Sequence, residues 1–353
     1  MSEQNVAICK DLRLELQAFV SSLKYDKLFI LTDTNTYAKC YPLIQDVEVL
    51  KNAPVIITEA GDTHKTLEHL SHIWMRLSSE GASRNSLLVN LGGGMVTDMG
   101  GFAGATFKRG IRTINIPTTL MASVDAAVGG KTGINFNGLK NEIGAFHQPL
   151  RVFIDCEFLR TLDRDNILSG YAEMLKHGLI SSMADYTSVM LYDIDTMNYS
   201  YLNRLVAQSV EVKERIVEED PKEQGIRKAL NFGHTIGHAY ESLSFRKGCP
   251  ILHGHAVAAG IVSELYLSHR ICEFPMEKLS QVVYYIKEYY PAFFFDCKDY
   301  DVLYELMKHD KKNEGGVINF TLLANVGDVR INRSVSKERI LESLDFYRES
   351  FGV

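Results

Sequence analysis

The chain has 353 residues, enough for about two domains at ~150 residues each, and carries 38 Lys plus Arg against 44 Asp plus Glu, a formal net charge of −6. Hydrophobic residues make up 46% and charged residues 23%, ordinary globular usage that excludes a disordered, collagen-like or mucin-like chain. The mild acidity excludes a general nucleic-acid binder, whose phosphate contacts need a basic face, so any cationic site has to be assembled locally. Six scattered cysteines (Cys9, Cys40, Cys156, Cys249, Cys272, Cys297) form no C-x-x-C pair and read as free thiols of a reducing compartment. The N-terminus lacks the basic start and apolar run of a signal peptide. No stretch reaches the ~18 continuous apolar residues of a membrane span. These features predict a soluble, cytoplasmic protein with no membrane partner.

In chain order, residues 27–33 (KLFILTD) and 54–59 (PVIITE) read as short buried strands. Residues 65–80 place Leu67, Leu70, Ile73, Trp74 and Leu77 at helical spacing before Gly81. Residues 86–91 (SLLVNL), 113–117 and 152–155 predict further strands. Strand alternating with helix implies βαβ units and a mostly parallel sheet, with ligands at the carboxyl ends of the strands. Asp33, Gly61, Asp62 and the triplet Gly92-Gly93-Gly94 fall at those ends. From about residue 161 long helical patterns dominate, around 171–180, 201–219, 251–270 and 277–289, with a small strand near Ile318, Phe320 and Leu322. The expected organisation is α/β: a parallel-sheet domain over 1–158, then a mostly α-helical domain over 159–353. A cleft between them is the natural place for a site.

Residues 92–144 hold 12 of the 26 glycines, too many for packing alone. A strand followed by Gly92-Gly93-Gly94 and a helix favours an anion such as pyrophosphate at the helix N-terminus. The spacing departs from G-x-G-x-x-G because Thr97 stands at the third glycine position. Gly129-Gly130-Lys131-Thr132 imitates the end of a Walker A motif, yet Asp125 occupies its first glycine position; a carboxylate there would repel a triphosphate. Asp125 and Lys131 remain as an acid and a base six residues apart.

Three stretches of the helical half concentrate metal-ligand types: Glu173, Lys176 and His177; His234 and His238; His253 and His255. Two imidazoles and a carboxylate with open positions make a catalytic divalent site, zinc most simply. Spacing alone nominates His234 and His238, which converge at i and i+4 on one helix face. The glutamate of an H-E-x-x-H protease is absent between them.

The words EAGDTHK (59–65), NLGGGMVTDMGGFAGATFKRG (90–110), INIPTTLMASVDAAVGGKTGIN (114–135), GLKNEIGAFHQP (138–149), SGYAEMLKHGLI (169–180), GIRKALNFGHTIGHA (225–239) and DKKNEGG (310–316) together resemble 3-dehydroquinate synthases, over essentially the full length. The resemblance implies a Rossmann-like NAD-binding domain followed by a helical, metal-binding domain. It also implies a lyase of the shikimate pathway, which leads to chorismate and the aromatic amino acids. That enzyme converts 3-deoxy-D-arabino-heptulosonate 7-phosphate to 3-dehydroquinate and phosphate. The implied steps are transient oxidation by NAD, β-elimination of phosphate, re-reduction, ring opening and an intramolecular aldol closure.

The resemblance places the metal, zinc or cobalt, on Glu173, His234 and His253, leaving His238 for the substrate. It lines the NAD site with Asp33, Gly61, Asp62, Lys65, Gly93, Gly94, Asp98, Thr118, Thr119 and Thr161, to which Lys131 and Lys140 are added. A substrate bearing carboxylate and phosphate needs cations at two places. Arg109, Lys176, Lys213, Arg227 and Lys311 are candidates, with Asn141 and Asn231 as hydrogen-bonding partners and Asp125 beside them. Asp62 and His255 stand where glutamate is usual, and Met95 replaces Val or Ile. A homodimer is expected. The competing readings are a sister cyclase acting on another seven-carbon sugar phosphate, which lacks the carboxylate pocket, a metal-dependent polyol dehydrogenase of the glycerol-dehydrogenase type, and a non-catalytic relative.

Overall fold

The computed structural model describes residues 6–137, 139–308 and 318–353. The chain divides into two compact units, residues 1–163 and 164–353. The boundary expected at 158/159 falls inside the short 3-10 turn Cys156–Thr161 that closes the first unit.

The first unit runs β1 (Val6–Ile8), α1 (Leu12–Ser22), β2 (Leu28–Asp33), α2 (Thr34–Lys39), β3 (Val55–Thr58), α3 (Leu67–Ser79), β4 (Leu87–Gly92), α4 (Gly94–Thr106), β5 (Arg112–Pro117), β6 (Lys131–Phe136), β7 (Leu139–Phe146) and β8 (Arg151–Ile154). Six strands form a parallel sheet in the order β1-β8-β5-β4-β2-β3. Both faces are covered, which is why the strands read as continuous apolar runs. Leu28 and Ile30 of β2, with Leu87 and Val89 of β4, pack with Leu16 and Val20 of α1. Phe29, Leu31 and Leu88 point the other way, onto Leu70, Ile73 and Leu77 of α3 and Val96, Met99 and Ala103 of α4.

The glycine-dense segment resolves into separate jobs. Gly100, Gly101 and Gly104 let α4 lie against the sheet and the β6–β7 hairpin, since a Cβ there would come within 2.1, 2.4 and 2.3 Å of Asn90, Thr132 and Thr113. Packing therefore takes more of these glycines than the sequence argument allowed. β6 and β7 form a separate antiparallel hairpin, an element absent from the expected strands.

The second unit contains α5 (Arg164–Ser181), α6 (Met183–Met190), α7 (Tyr199–Glu219), α8 (His234–Arg246), α9 (His253–Cys272), α10 (Met276–Tyr289), α11 (Tyr300–Lys308), the antiparallel pair β9 (Asn319–Asn325) and β10 (Asp328–Ser334), and α12 (Lys337–Phe351). Tyr240 of α8 packs on Phe293, Phe295 and Tyr347 with ring centroids 5.1–5.5 Å apart, tying α12 to α8. α5 and α9 meet at Gly254, where a Cβ would lie 1.8 Å from the Ser169 carbonyl. Ser169 Oγ also accepts the Gly254 amide at 3.1 Å. Glu173 follows Ser169 by about one turn, and His253 precedes Gly254, so this contact brings the two together. Among the described residues, no helix is long and apolar enough to cross a membrane.

Candidate metal centre and nucleotide edge

In the first unit the flagged residues gather at the carboxyl edge of the sheet, where parallel sheets bind ligands. Asp33 ends β2, Gly61 and Asp62 follow β3, Gly93 and Gly94 open α4 after β4, and Thr118 and Thr119 follow β5. Asp33 also has a local task. Its Oδ1 accepts the Thr36 amide at 2.8 Å, while Thr36 Oγ1 accepts the Asp33 amide at 3.0 Å, a reciprocal cap on α2. Thr161 donates to the Phe158 carbonyl at 2.7 Å and lies 3.6 Å from the thiol of Cys40, the C-cap of α2. Thr119 Oγ1 accepts the Ala122 amide at 3.1 Å, holding the turn that carries Asp125.

Lys65 is the buried cation of this edge, 3% exposed. Its ammonium donates to Asp98 Oδ2 at 2.5 Å and to Asn141 Oδ1. Asp62 forms an ion pair with Lys140 at 3.3 Å. Asn135, which the sequence reading passed over, knits these groups together. Its backbone amide donates to the Lys65 carbonyl at 2.7 Å. Its Nδ2 donates to the Asp62 carbonyl at 2.9 Å, and its Oδ1 accepts the Asn141 amide at 3.0 Å. Lys131 begins β6 on the exposed side.

Arg109 is the exception in this unit. It follows α4, whose 13 residues span ~20 Å at 1.5 Å per residue, so it lies toward the amino edge, opposite the glycine turn. Arg109 is expected as a cation for the substrate, and within this unit it stands apart from the carboxyl-edge residues, exposed to solvent, because a helix that starts at one edge of a sheet ends at the other.

In the second unit, Glu173 and Lys176 sit on α5, Lys213 on α7, Arg227 and Asn231 in the turn Ile226–Asn231, His234 and His238 on α8, and His253 at the start of α9. Glu173 is fully buried. Its Oε1 lies 3.4 Å from His234 Nε2 and 3.8 Å from His253 Nε2. Lys176, itself 1% exposed, forms an ion pair with its Oε2, yet no hydrogen bond of good geometry reaches either carboxylate oxygen. Burial pushes the Glu173 carboxyl up, but the Lys176 ammonium, then His234 and His253, outweigh it and hold the carboxyl well below the usual range.

The ligand-type atoms of His234, His238 and His253 lie within 4.8 Å of one another, with ring centroids 5.3–5.7 Å apart. His234 Nδ1 is 3.0 Å from the Phe232 carbonyl and His253 Nδ1 is 3.2 Å from Glu241 Oε2. Each ring therefore donates outward through Nδ1 and turns Nε2 inward toward Glu173, the usual support of a metal-binding imidazole. Glu241 was missed in the sequence, although His234, His238 and Glu241 recur at i, i+4 and i+7 on α8. A buried carboxylate with unsatisfied oxygens facing oriented imidazoles fits a divalent cation; donors on a tetrahedral ion at ~2.1 Å stand about 3.4 Å apart.

Arg227 is 2% exposed. Its Nη1 donates to the Pro221 carbonyl at 2.7 Å, and Asn231 Nδ2 donates to Glu223 Oε1 at 2.9 Å. Lys213 is buried on α7. His255 turns its ring edge-on to Tyr290, with centroids 5.7 Å apart, and burial lowers its pKa. Lys311 lies outside the described residues.

Comparison with known proteins decides the family. The profile described as 3-dehydroquinate synthase N-terminal matches residues 55–169, and the one described as 3-dehydroquinate synthase C-terminal matches residues 170–313. A 3-dehydroquinate synthase from Parabacteroides distasonis is 82% identical over 353 residues, the whole of both chains. The chain belongs to the 3-dehydroquinate synthase family. Two solved structures of other enzymes share the fold of this 3-dehydroquinate synthase family member. A 2-epi-5-epi-valiolone synthase from Streptomyces hygroscopicus subsp. jinggangensis, with NAD+ and Zn2+ bound, superposes with a TM-score of 0.88 at 21% identity, covering 99% of this chain and 98% of that one. A 2-deoxy-scyllo-inosose synthase complexed with carbaglucose-6-phosphate, NAD+ and Co2+ gives 0.85 at 24% identity, covering 98% and 96%.

Proposed function

We propose that the chain converts 3-deoxy-D-arabino-heptulosonate 7-phosphate to 3-dehydroquinate and phosphate, as a carbon–oxygen lyase that uses NAD and one zinc or cobalt ion catalytically. Glu173, His234 and His253 would hold the cation, and the carboxyl edge of the six-stranded sheet would hold NAD. The observation that carries this reading is the buried Glu173 carboxylate, whose Oε1 faces the Nε2 atoms of two imidazoles, at 3.4 and 3.8 Å, that are fixed from behind. The NAD+ and the Zn2+ or Co2+ in the two solved relatives support the same cofactors here. Bound there, the nicotinamide would take up and return a hydride within one turnover, and the cation would polarise a carbon–oxygen bond.

The chain's own residues do the rest. Arg227 presents a planar fork for the substrate carboxylate, anchored by the Pro221 carbonyl. Lys176 and Lys213 are buried ammoniums suited to substrate oxygens and phosphate as point charges. His238, beside both ligating rings, is placed to move a proton at a ring hydroxyl. Asn231 orients the substrate from the Arg227 turn. On the first unit, Asn141, Lys131, Lys140 and Asp125 would add polar contacts at the nucleotide edge, where the glycine turn before α4 would receive pyrophosphate and Lys65, held by Asp98, would lend it positive charge. The free cysteines support a cytoplasmic enzyme, and a homodimer is the proposed assembly.

Metal analysis of two purified variants tests the ligand set. His253→Ala should lose most of its zinc and nearly all activity. His238→Ala should keep close to one ion per chain while kcat falls ~10²-fold. The reverse pattern would assign the cation to the His234 and His238 pair.

A further inference from the structure

His234 and His253 are the first residues of α8 and α9. A helix N-terminus carries a positive partial charge, roughly half an elementary charge, so two helices turn their less favourable ends toward a dication. The first turn of α8 is also left without a local cap. Gly233 occupies the N-cap position with φ +79°, outside the extended backbone from which an N-cap side chain reaches back, and it has no side chain to offer.

The cap comes from the neighbouring helix. Glu264 lies on α9, three turns beyond His253 and fully buried. Its Oε2 accepts the Gly233 amide at 2.7 Å and its Oε1 accepts the Ile236 amide at 3.0 Å. Both donors flank His234. With both oxygens accepting, the arrangement suits an ionised carboxylate. The helices touch backbone to backbone one turn earlier, where a Cβ on Gly260 would lie 2.1 Å from the Gly233 carbonyl and 2.6 Å from the Gly237 amide. Tyr240 and Ser263 join hydroxyls beside it at 2.9 Å. Burying a carboxylate costs several kcal/mol unless partners compensate, so an acid here needs a reason.

We propose that Glu264 is a positioning residue of the metal centre: from α9 it clamps the first turn of α8, fixing His234 relative to His253, and its charge offsets the α8 dipole beside the cation. This inference rests on Glu173, His234 and His253 being the ligands.

The test uses the full chain stripped of metal, titrated with zinc against a competing chelator, with thermal unfolding followed with and without zinc. Glu264→Gln keeps the shape, removes the charge and sets an NH2 group against one of the two amides. Its zinc Kd should rise about 10- to 100-fold, the usual worth of a residue supporting a ligating histidine, with a smaller zinc-dependent gain in Tm and an unchanged fold when stripped. A Kd within about twofold of the parent overturns the proposal. So does a lower Tm in the stripped protein with the zinc increment intact, which marks a structural role alone. Should the glutamine variant not fold, Glu264→Asp, whose shorter arm gives up at least one amide, is read the same way. A Kd raised about threefold or more supports the proposal, and an unchanged one overturns it. His253→Ala, run alongside, separates the two layers. Zinc retained by His253→Ala overturns the ligand set and this role with it; zinc lost there but bound at full affinity by Glu264→Gln overturns the role of Glu264 alone.

Discussion

Replacing Asp220 by alanine should weaken capture of the carboxylated substrate while sparing the chemical step. Asp220 Oδ1 accepts the Gln224 amide at 3.0 Å, and its Oδ2 accepts the amides of Gly225 at 2.6 Å and Arg227 at 3.2 Å. Partial burial pushes its carboxyl up, but these three amides, with Arg227, outweigh it and hold the carboxyl below the usual range, so the contacts persist at neutral pH. Each such bond is worth roughly 0.5–1.5 kcal/mol net, and the solvent at this loop keeps the sum near 2 kcal/mol. That sum bounds the loss of Arg227 placement at about 30-fold. Initial rates against substrate concentration should show KM up about tenfold and kcat changed less than about threefold, the signature of lost ground-state and transition-state binding alike. Asp220→Asn, which keeps one acceptor oxygen, should fall between. Arg227→Lys, which keeps the charge but loses the fork, should raise KM at least as much. An unchanged KM in a folded Asp220→Ala protein, or a fall in kcat with KM intact, would refute the argument.

Lys65→Met removes the ammonium that faces Asp98 and Asn141. It should lower stability by ~2–3 kcal/mol, below the usual range for a fully buried pair because Asp98 is partly exposed, and weaken NAD binding; thermal denaturation and NAD titration check both, and an unchanged Tm would contradict it. Glu214 on α7 has its pKa pushed up to about 7 by burial and then by Glu218 and Glu211. A carboxyl raised from its ordinary 4.5 costs stability as pH climbs through that window. Glu214→Gln should therefore raise Tm at pH 8 and leave it nearly unchanged at pH 4, below the ordinary carboxyl value. After discounting for solvent at this partly exposed group the gain is ~1 kcal/mol, roughly 2–4 °C.

The parallel strands were legible because a sheet covered on both faces writes unbroken apolar runs, as at 27–33 and 86–91. β1 was not, since Val6–Ile8 is three residues and pairs at an edge with β8, 146 positions away in register. The β6–β7 hairpin carried a readable signal, Asn137-Gly138 between two strand-like runs, masked by the surrounding glycines. In the candidate site, His234 and His238 were visible because α8 repeats every 3.6 residues. Glu241 lay on that same face and was overlooked. Glu264 had no local signature, because the amides it accepts are 28 and 31 residues away, and Asn135 had little, because apart from Asn141 the groups it joins lie 70–73 residues away and only tertiary packing supplies them.

Mixing the purified protein with 3-deoxy-D-arabino-heptulosonate 7-phosphate, substoichiometric NAD+ and zinc or cobalt separates a synthase from a dehydrogenase. Phosphate should appear in step with substrate consumed, 3-dehydroquinate should accumulate, and no net NADH absorbance should develop. NADH formed one for one with substrate consumed until the NAD+ is exhausted, or sedoheptulose 7-phosphate turned over faster than the heptulosonate, would contradict the account.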